Sequence, residues 1–205
     1  SPEFESKTGV PISAIIFGGR RAKTAPLVYQ SRNWDHGVFV GSIMASETTA
    51  AATGKVGVVR RDPMAMRPFC GYNMGDYWQH WIDMGKKLSN PPKIFNVNWF
   101  RTDDEGNFEW PGFGDNMRVV EWILGRCFDE VGAVETELGY EPKAEDINLA
   151  GSGVSEETLK DLLKVDKGLW LDECKGIREY YDQFGDKLPK ELAEEIDALE
   201  ERLKK

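Results

Sequence analysis

The sequence predicts an α/β protein whose last part is helical. Short apolar runs of strand type, at 10–17, 26–30 and 93–100, alternate with stretches of helical periodicity over the first two thirds of the chain. From residue 155 onward, three helical patterns follow one another with no strand signal between them. At 205 residues, a single domain with a substantial core is the expectation.

The elements follow in order. Residues 1–7 begin SPEF, which reads as a cloning scar and leader on a piece of a longer protein. VPISAIIF (10–17) reads as a strand and ends in Gly18-Gly19-Arg20-Arg21. PLVYQ (26–30) is a second short strand. NWDHGVFVGSIM (33–44) opens on cap-type residues and turns apolar, which predicts a short helix. SETTAAATGKVGV (46–58) is small and polar; it can bury little, so its ordered state is marginally stable. DYWQHWIDM (76–84) predicts a helix with Tyr77, Trp81 and Met84 on one face. KIFNVNWF (93–100) follows a Pro pair that stops any helix and reads as a buried strand. DNMRVVEWILGRC (115–127) predicts an amphipathic helix capped by Asp115 or Asn116, burying Val119, Val120, Ile123 and Leu124. The composition shifts near residue 130. The last three helical patterns are 155–165, with Ser155 in a capping box, 167–184 and 188–203. The third repeats Leu192, Ile196, Leu199 and Leu203, and the charges of all three read as a solvated outer face.

Composition narrows the function. The formal net charge is −9. That argues against non-specific nucleic-acid and anionic-membrane binding, which need a basic field, but leaves room for a small basic phosphate site. Cys70, Cys127 and Cys174 are sparse and lack CxxC spacing, so reduced cytoplasmic thiols fit better than disulfides or a zinc site. No apolar run approaches a membrane span. His36 and His80 read as packing or surface residues. No metal-ligand set emerges from the residues.

The densest chemistry lies in PPKIFNVNWFRTDDEGNFEWPGFGDN (91–116). It carries Phe95, Trp99, Phe100, Phe108, Trp110 and Phe113. DDEG is a turn. Pro111 removes a backbone donor, and Gly112 and Gly114 free the backbone on either side of Phe113. A ring held between glycines can act as a flat wall, and Asn116 can both donate and accept. Two readings fit: a pocket for a planar base, or an aromatic core under a loop. Gly-Gly-Arg-Arg likewise fits a phosphate contact or a basic turn. Arg67 fits either packing or a role near a nucleotide.

The arrangement N-W-F-R…F-x-W-P-G-F-G-D-N at 98–116 resembles the guanine pocket of GTP-dependent phosphoenolpyruvate carboxykinases. PISAIIFGGRR (11–21), DPMAMRPF (62–69) and GYN (71–73) extend the resemblance over nearly the whole chain. It implies a mixed β-sheet lobe with packed helices, a nucleotide-binding part at 8–140 and a helical subregion of the same domain at 141–205. It implies that Phe100 and Phe113 sandwich guanine, Phe108 lines the pocket, Trp99 supports it and Asn116 hydrogen-bonds the base. Arg20 would reach the transferring phosphate, and Arg21 is its neighbour with no assigned duty. Residues 48–58 match a mobile lid, introduced by SEATAAA in the family, which excludes water from an enolpyruvate intermediate. The chain departs from vertebrate members at Ala45, where they have Arg, and at Thr53-Gly54-Lys55, where they have E-H-K.

The resemblance further implies GTP and GDP as substrates, oxaloacetate and phosphoenolpyruvate as partners, and Mn2+ and Mg2+ in a cytoplasmic, gluconeogenic, monomeric parent enzyme. Neither GxxxxGK[ST] nor the family's A-C-G-K-T-N loop occurs in these 205 residues, and the family's metal ligands belong to a region that precedes them. The fragment alone is therefore expected to be inactive, with open sheet edges that invite self-association. The competing expectation is a non-catalytic nucleotide-binding or association module.

Overall fold

The computed structural model describes residues 1–48 and 57–205. The architecture is a mixed sheet with helices on both faces, as the sequence and its family resemblance predict. The central sheet has the order β1-β5-β2-β7-β6. Its strands are Ala14–Gly18 (β1), Val28–Gln30 (β2), Lys93–Val97 (β5), Val134–Glu135 (β6) and Tyr140–Glu141 (β7). β1 runs parallel to β5, with Ile15 opposite Ile94 and Phe17 opposite Asn96. β5–β2, β2–β7 and β7–β6 are antiparallel. A second sheet is the two-stranded ribbon of β3 (Ala45–Glu47) and β4 (Val59–Arg61). Of the stretch expected to form a lid, 48–58, residues 49–56 lie outside the described residues. The flanking Thr48 and Val58 continue the ribbon through a backbone bond from Thr48 N–H to the Val58 carbonyl at 3.0 Å.

Period-two alternation along the strands divides the core in two. On one face Phe17, Tyr29 and Ile94 pack against helices α1 (Trp34–Ser42), α2 (Met74–Gly85), α5 (Lys167–Asp182) and α6 (Lys190–Leu203). On the other, Val28, Phe95 and Val97 meet α3 (Asn116–Cys127) and α4 (Glu156–Leu163). The chain's last helices thus bury the same sheet as its first, and Leu192, Ile196, Leu199 and Leu203 all lie inward. Side-chain caps set four helix starts: Asn33, Asn73, Ser155 and Asp166 each accept a backbone N–H from the first turn.

Several boundaries and faces differ from the sequence expectation. β1 starts at Ala14, not Val10: Pro11 offers no donor, and pairing with β5 begins where Lys93 N–H meets the Ser13 carbonyl. In α2 the inward stripe is Met74, Trp78 and Ile82 at fourfold spacing; Tyr77, Trp81 and Met84 sit on its half-buried flank. In α3 the buried residues are Val119, Trp122, Ile123 and Gly125; Val120 is only half-buried, and Leu124 is 46% exposed. Trp122 presents a larger apolar surface than Leu124 and takes the core position against Phe95. Neither Asp115 nor Asn116 caps α3 with its side chain. Asp115 instead pairs with Arg118 Nε at 2.7 Å, and Asn116 binds Trp110.

Candidate functional site

The site begins where β1 ends. Gly18-Gly19-Arg20-Arg21 leaves the sheet and turns against the ribbon. Arg20 N–H donates to Ser46 Oγ at 3.2 Å, and Glu47 N–H donates to the Arg20 carbonyl at 2.8 Å. A Cβ at Gly19 would lie 2.2 Å from the Ala45 carbonyl oxygen, so only glycine permits this approach.

The aromatic loop leaves β5 directly beside that turn. Asn98, buried, joins the two. Its Nδ2 donates to the carbonyls of Arg21 and Ala25, both at 2.8 Å. Its Oδ1 accepts from the N–H groups of Arg21 (3.3 Å) and Phe100 (3.2 Å). Every hydrogen-bonding direction of this amide is therefore used. Asn98 was not singled out from sequence, although a polar residue between Val97 and Trp99 at the end of a buried strand was a usable signal, since buried amides need partners.

The result is a cleft of about 170 Å³ lined by Gly18, Gly19, Arg20, Ser46, Trp99 and Phe100, among others. The Arg20 guanidinium carbon lies 6.0 Å from the centroid of the Phe100 ring, at the limit of cation–π range. Phe108 meets Phe100 edge to face, with centroids 5.8 Å apart and planes at 78°. A hairpin holds these two rings together. Thr102 bridges Phe108, and the Asp103 carboxylate accepts from Asn107 N–H at 2.8 Å and from its side-chain amide at 3.1 Å. Those bonds hold the Asp103 carboxyl below its usual range.

The other expected residues stand differently. Trp99 is half-buried and packs on the core beneath α3 and α4. Trp110 is buried, and its indole N–H donates to Asn116 Oδ1 at 2.9 Å. That bond orients the Asn116 amide and occupies an acceptor lone pair, and among the described residues Nδ2 has no acceptor. Gly112, at φ +79°, turns the chain outward, and Phe113 follows with 99% of its surface exposed. Phe108 is 65% exposed. Arg20, Trp99 and Phe100 therefore share one cleft, Phe108 extends it, and Phe113 stands clear of the other rings.

Two residues left open by the sequence are placed as well. His36 is buried, its Nδ1 accepts the Arg32 N–H at 2.9 Å, and burial together with the charges of Arg32 and Arg202 pushes its pKa down to about 3. Arg67 is exposed and donates to the Arg61 carbonyl at 3.3 Å. Among the described residues, no three His, Cys, Asp or Glu side chains group where a metal ion could sit, and no helix is long and apolar enough to cross a membrane.

An α/β lobe that sets an arginine turn against an aromatic loop is thus the frame of the site. Residues 1–202 match the family model described as the phosphoenolpyruvate carboxykinase C-terminal P-loop domain. The chain belongs to the GTP-dependent phosphoenolpyruvate carboxykinase family. It is 52% identical over 200 residues to the phosphoenolpyruvate carboxykinase [GTP] of Thermoplasma volcanium, covering 98% of this chain and 33% of that protein. It is 53% identical over 204 residues to the protein of the same name from Anaeromyxobacter sp. (strain K), covering 100% and 34%. Treponema pallidum (strain Nichols) has another relative, 53% identical over 204 residues. The chain spans about a third of the length of the curated relatives it matches.

Proposed function

We propose that this chain is the guanine-nucleotide-binding part of a GTP-dependent phosphoenolpyruvate carboxykinase. The parent enzyme would interconvert oxaloacetate and GTP with phosphoenolpyruvate, CO2 and GDP in cytoplasmic gluconeogenesis. The observation that carries the reading is the cleft in which Arg20 stands beside Phe100, both turns being locked together by Asn98. A base stacked on Phe100 sends its phosphates toward a guanidinium.

The chemistry of each group follows. Stacking on an aromatic ring contributes roughly 1–3 kcal/mol per base and does not discriminate among bases. Discrimination needs polar edges: guanine offers O6 as an acceptor where adenine offers a donor. The Nδ2 donor of Asn116, left free by the Trp110 bond, suits O6 and leaves adenine with donor against donor. Phe113, exposed on its glycine-flanked turn, is the second wall of the sandwich, and Phe108 closes the side. Arg20 offers forked N–H donors to phosphoryl oxygens and stabilises charge that develops there during transfer.

The Mn2+ and Mg2+ that the resemblance implies supply charge neutralisation on phosphate and carboxylate oxygens. The described residues contain no cluster that fits either ion. The fragment by itself, which has no GxxxxGK[ST] loop, is proposed to bind nucleotide without turning over, and the parent is proposed to act as a monomer. Calorimetric titration of this chain with GTP, GDP and ATP, repeated on Phe113→Ala, tests the reading. Guanine-selective binding that weakens at least tenfold in the variant is expected. Equal affinity for ATP and GTP would overturn it in favour of a non-selective association module.

A further inference from the structure

Behind the cleft lies a cluster of charges that the reaction scheme does not use. Glu173, on α5, sits between two arginines that are distant in sequence. Arg21 approaches it with both terminal nitrogens, Nη1 to Oε1 at 2.9 Å and Nη2 to Oε2 at 2.6 Å. Arg61, the last residue of β4, donates Nη1 to the same Oε1 at 2.5 Å and to the Ile43 carbonyl at 3.2 Å. Glu47, the last residue of β3, accepts from Arg21 Nε at 3.4 Å and from Ala22 N–H at 3.1 Å. The side chains of Arg21 and Glu173 are each only 9% exposed. Gly176, one turn along α5, leaves space for Arg61: a Cβ there would lie 3.0 Å from Nη2.

Arg20 is the exception in this neighbourhood. Among the described residues its side chain has no hydrogen bond and no ion pair, only the Phe100 ring within 6.0 Å. Adjacent arginines have thus been sorted. Two carboxylates hold Arg21, and Arg20 faces the cleft unspent. A buried ion cluster is a poor way to gain stability, because desolvation offsets most of the attraction and an apolar replacement of equal volume does as well. It is a good way to fix direction: a forked pair on Arg21 sets the backbone of the turn from which Arg20 projects.

We infer that Glu173 is a positioning residue for the phosphate side of the cleft: by clamping Arg21 and Arg61 it holds the Gly-Gly-Arg-Arg turn and the β3–β4 ribbon in register, so that Arg20 presents its guanidinium to an incoming phosphate. The inference rests on the proposed nucleotide reading for its ligand, but not for the clamp itself. Glu173→Gln leaves the side chain's size and one acceptor oxygen while removing the charge that the buried Arg21 and the partly buried Arg61 share.

Two measurements on the 205-residue chain test it. In NMR-detected hydrogen exchange, the amides of Arg20 and Glu47, bonded across the turn to Ser46 Oγ and the Arg20 carbonyl, should exchange at least tenfold faster in Glu173→Gln. The amides of Phe95 and Val97 in β5 should stay within twofold. In titrations with guanosine and with GTP, the variant should lose about tenfold in GTP affinity and less than twofold in guanosine affinity. Arg20→Gln should reproduce the GTP loss without the exchange change. Uniformly faster exchange would mean a role in global stability alone, and would overturn the inference, as would unchanged exchange at Arg20 and Glu47. If neither variant nor parent chain binds nucleotide while exchange rises at the turn alone, the guanine reading fails and the clamp stands. If exchange rises at the turn but GTP and guanosine affinities fall equally, Arg20 is not what the clamp presents, and the inference fails.

Discussion

Two buried titratable groups, His36 on α1 and Glu141 on β7, should make opposite contributions to the acid response of this protein. His36 has its pKa pushed from 6.5 down to about 3, first by burial, then by the charges of Arg32 and Arg202. Between pH 3 and 6.5 the unfolded chain binds this proton and the folded one does not. Stability from neutral His36 is therefore present above pH 6.5 and lost as pH falls, by about 1.4 kcal/mol per unit, or about 2 kcal/mol at pH 5. Glu141 is the reverse. Burial pushes its pKa from 4.5 up to about 8, helped by Glu137 and opposed by Arg101 and a hydrogen bond from Thr136. The folded state holds that proton between pH 4.5 and 8, so stability is fully present below 4.5 and lost as pH rises through 8. Going from pH 7 to pH 5, Glu141 adds about 2.5 kcal/mol.

The two nearly cancel, and single variants should separate them. His36→Asn keeps an acceptor for the Arg32 N–H but loses the ring packed on Phe39 at 6.0 Å, a pH-independent cost. Relative to the parent chain, its stability should climb by about 2 kcal/mol between pH 7 and pH 5. Glu141→Gln keeps an acceptor for Thr136 and should fall by about 2.5 kcal/mol over the same interval. Urea unfolding at pH 7, 6 and 5, read by tryptophan fluorescence, gives these differences directly. Pairs of pH curves that run parallel, variant against parent, would refute the assignment of a buried neutral histidine and a buried protonated carboxyl.

Three further outcomes are expected. Gly19→Ala places a Cβ 2.2 Å from the Ala45 carbonyl oxygen, so the turn and ribbon must part; a loss of about 1–3 kcal/mol by urea unfolding is expected, and an unchanged midpoint would contradict the close approach. Trp110→Phe removes the buried donor to Asn116 Oδ1 and should cost about 1 kcal/mol, with a measurable fall in GTP preference over ATP. Ser42→Ala strands the buried Tyr181 hydroxyl, which lies 2.5 Å from Ser42 Oγ, at a cost of about 1–3 kcal/mol; Tyr181→Phe in that background should recover part of the loss because no polar group is then left unpaired.

The fold was largely legible because its signals are local. Pro91-Pro92 stands directly before strand β5, Asn33, Asn73 and Ser155 sit where caps belong, and Leu192 to Leu203 repeat at helical spacing. What was misjudged was which side of a stripe faces inward. In α2 the periodicity of Tyr77, Trp81 and Met84 is as good as that of Met74, Trp78 and Ile82. What decides between them is the neighbouring α5, which brings Tyr180 and Tyr181 against Trp78, together with Phe184 just beyond its end. The two short strands β6 and β7 carry too few residues for any period to show, and they exist because β2 offers an edge.

The same locality explains why the site was half visible. Trp99, Phe100, Phe108, Phe113 and Asn116 lie within one stretch, so a sequence can display them together. Glu173 lies 152 positions from Arg21, on a helix whose charged residues read as a solvated face. Most of them are that: Lys175 pairs with Asp172, and Arg178 with Asp197 and Glu200, at the surface. Periodicity assigns Glu173 to the border of the apolar stripe, beside buried Cys174 and three positions from buried Trp170. A carboxylate at such a border faces water unless a cation reaches it from another element. Two do, Arg21 from the turn after β1 and Arg61 from the end of β4. The distinction between a solvated glutamate and a clamp is therefore made by the partners that the topology delivers, and only the three-dimensional arrangement of β1, β4 and α5 contains it.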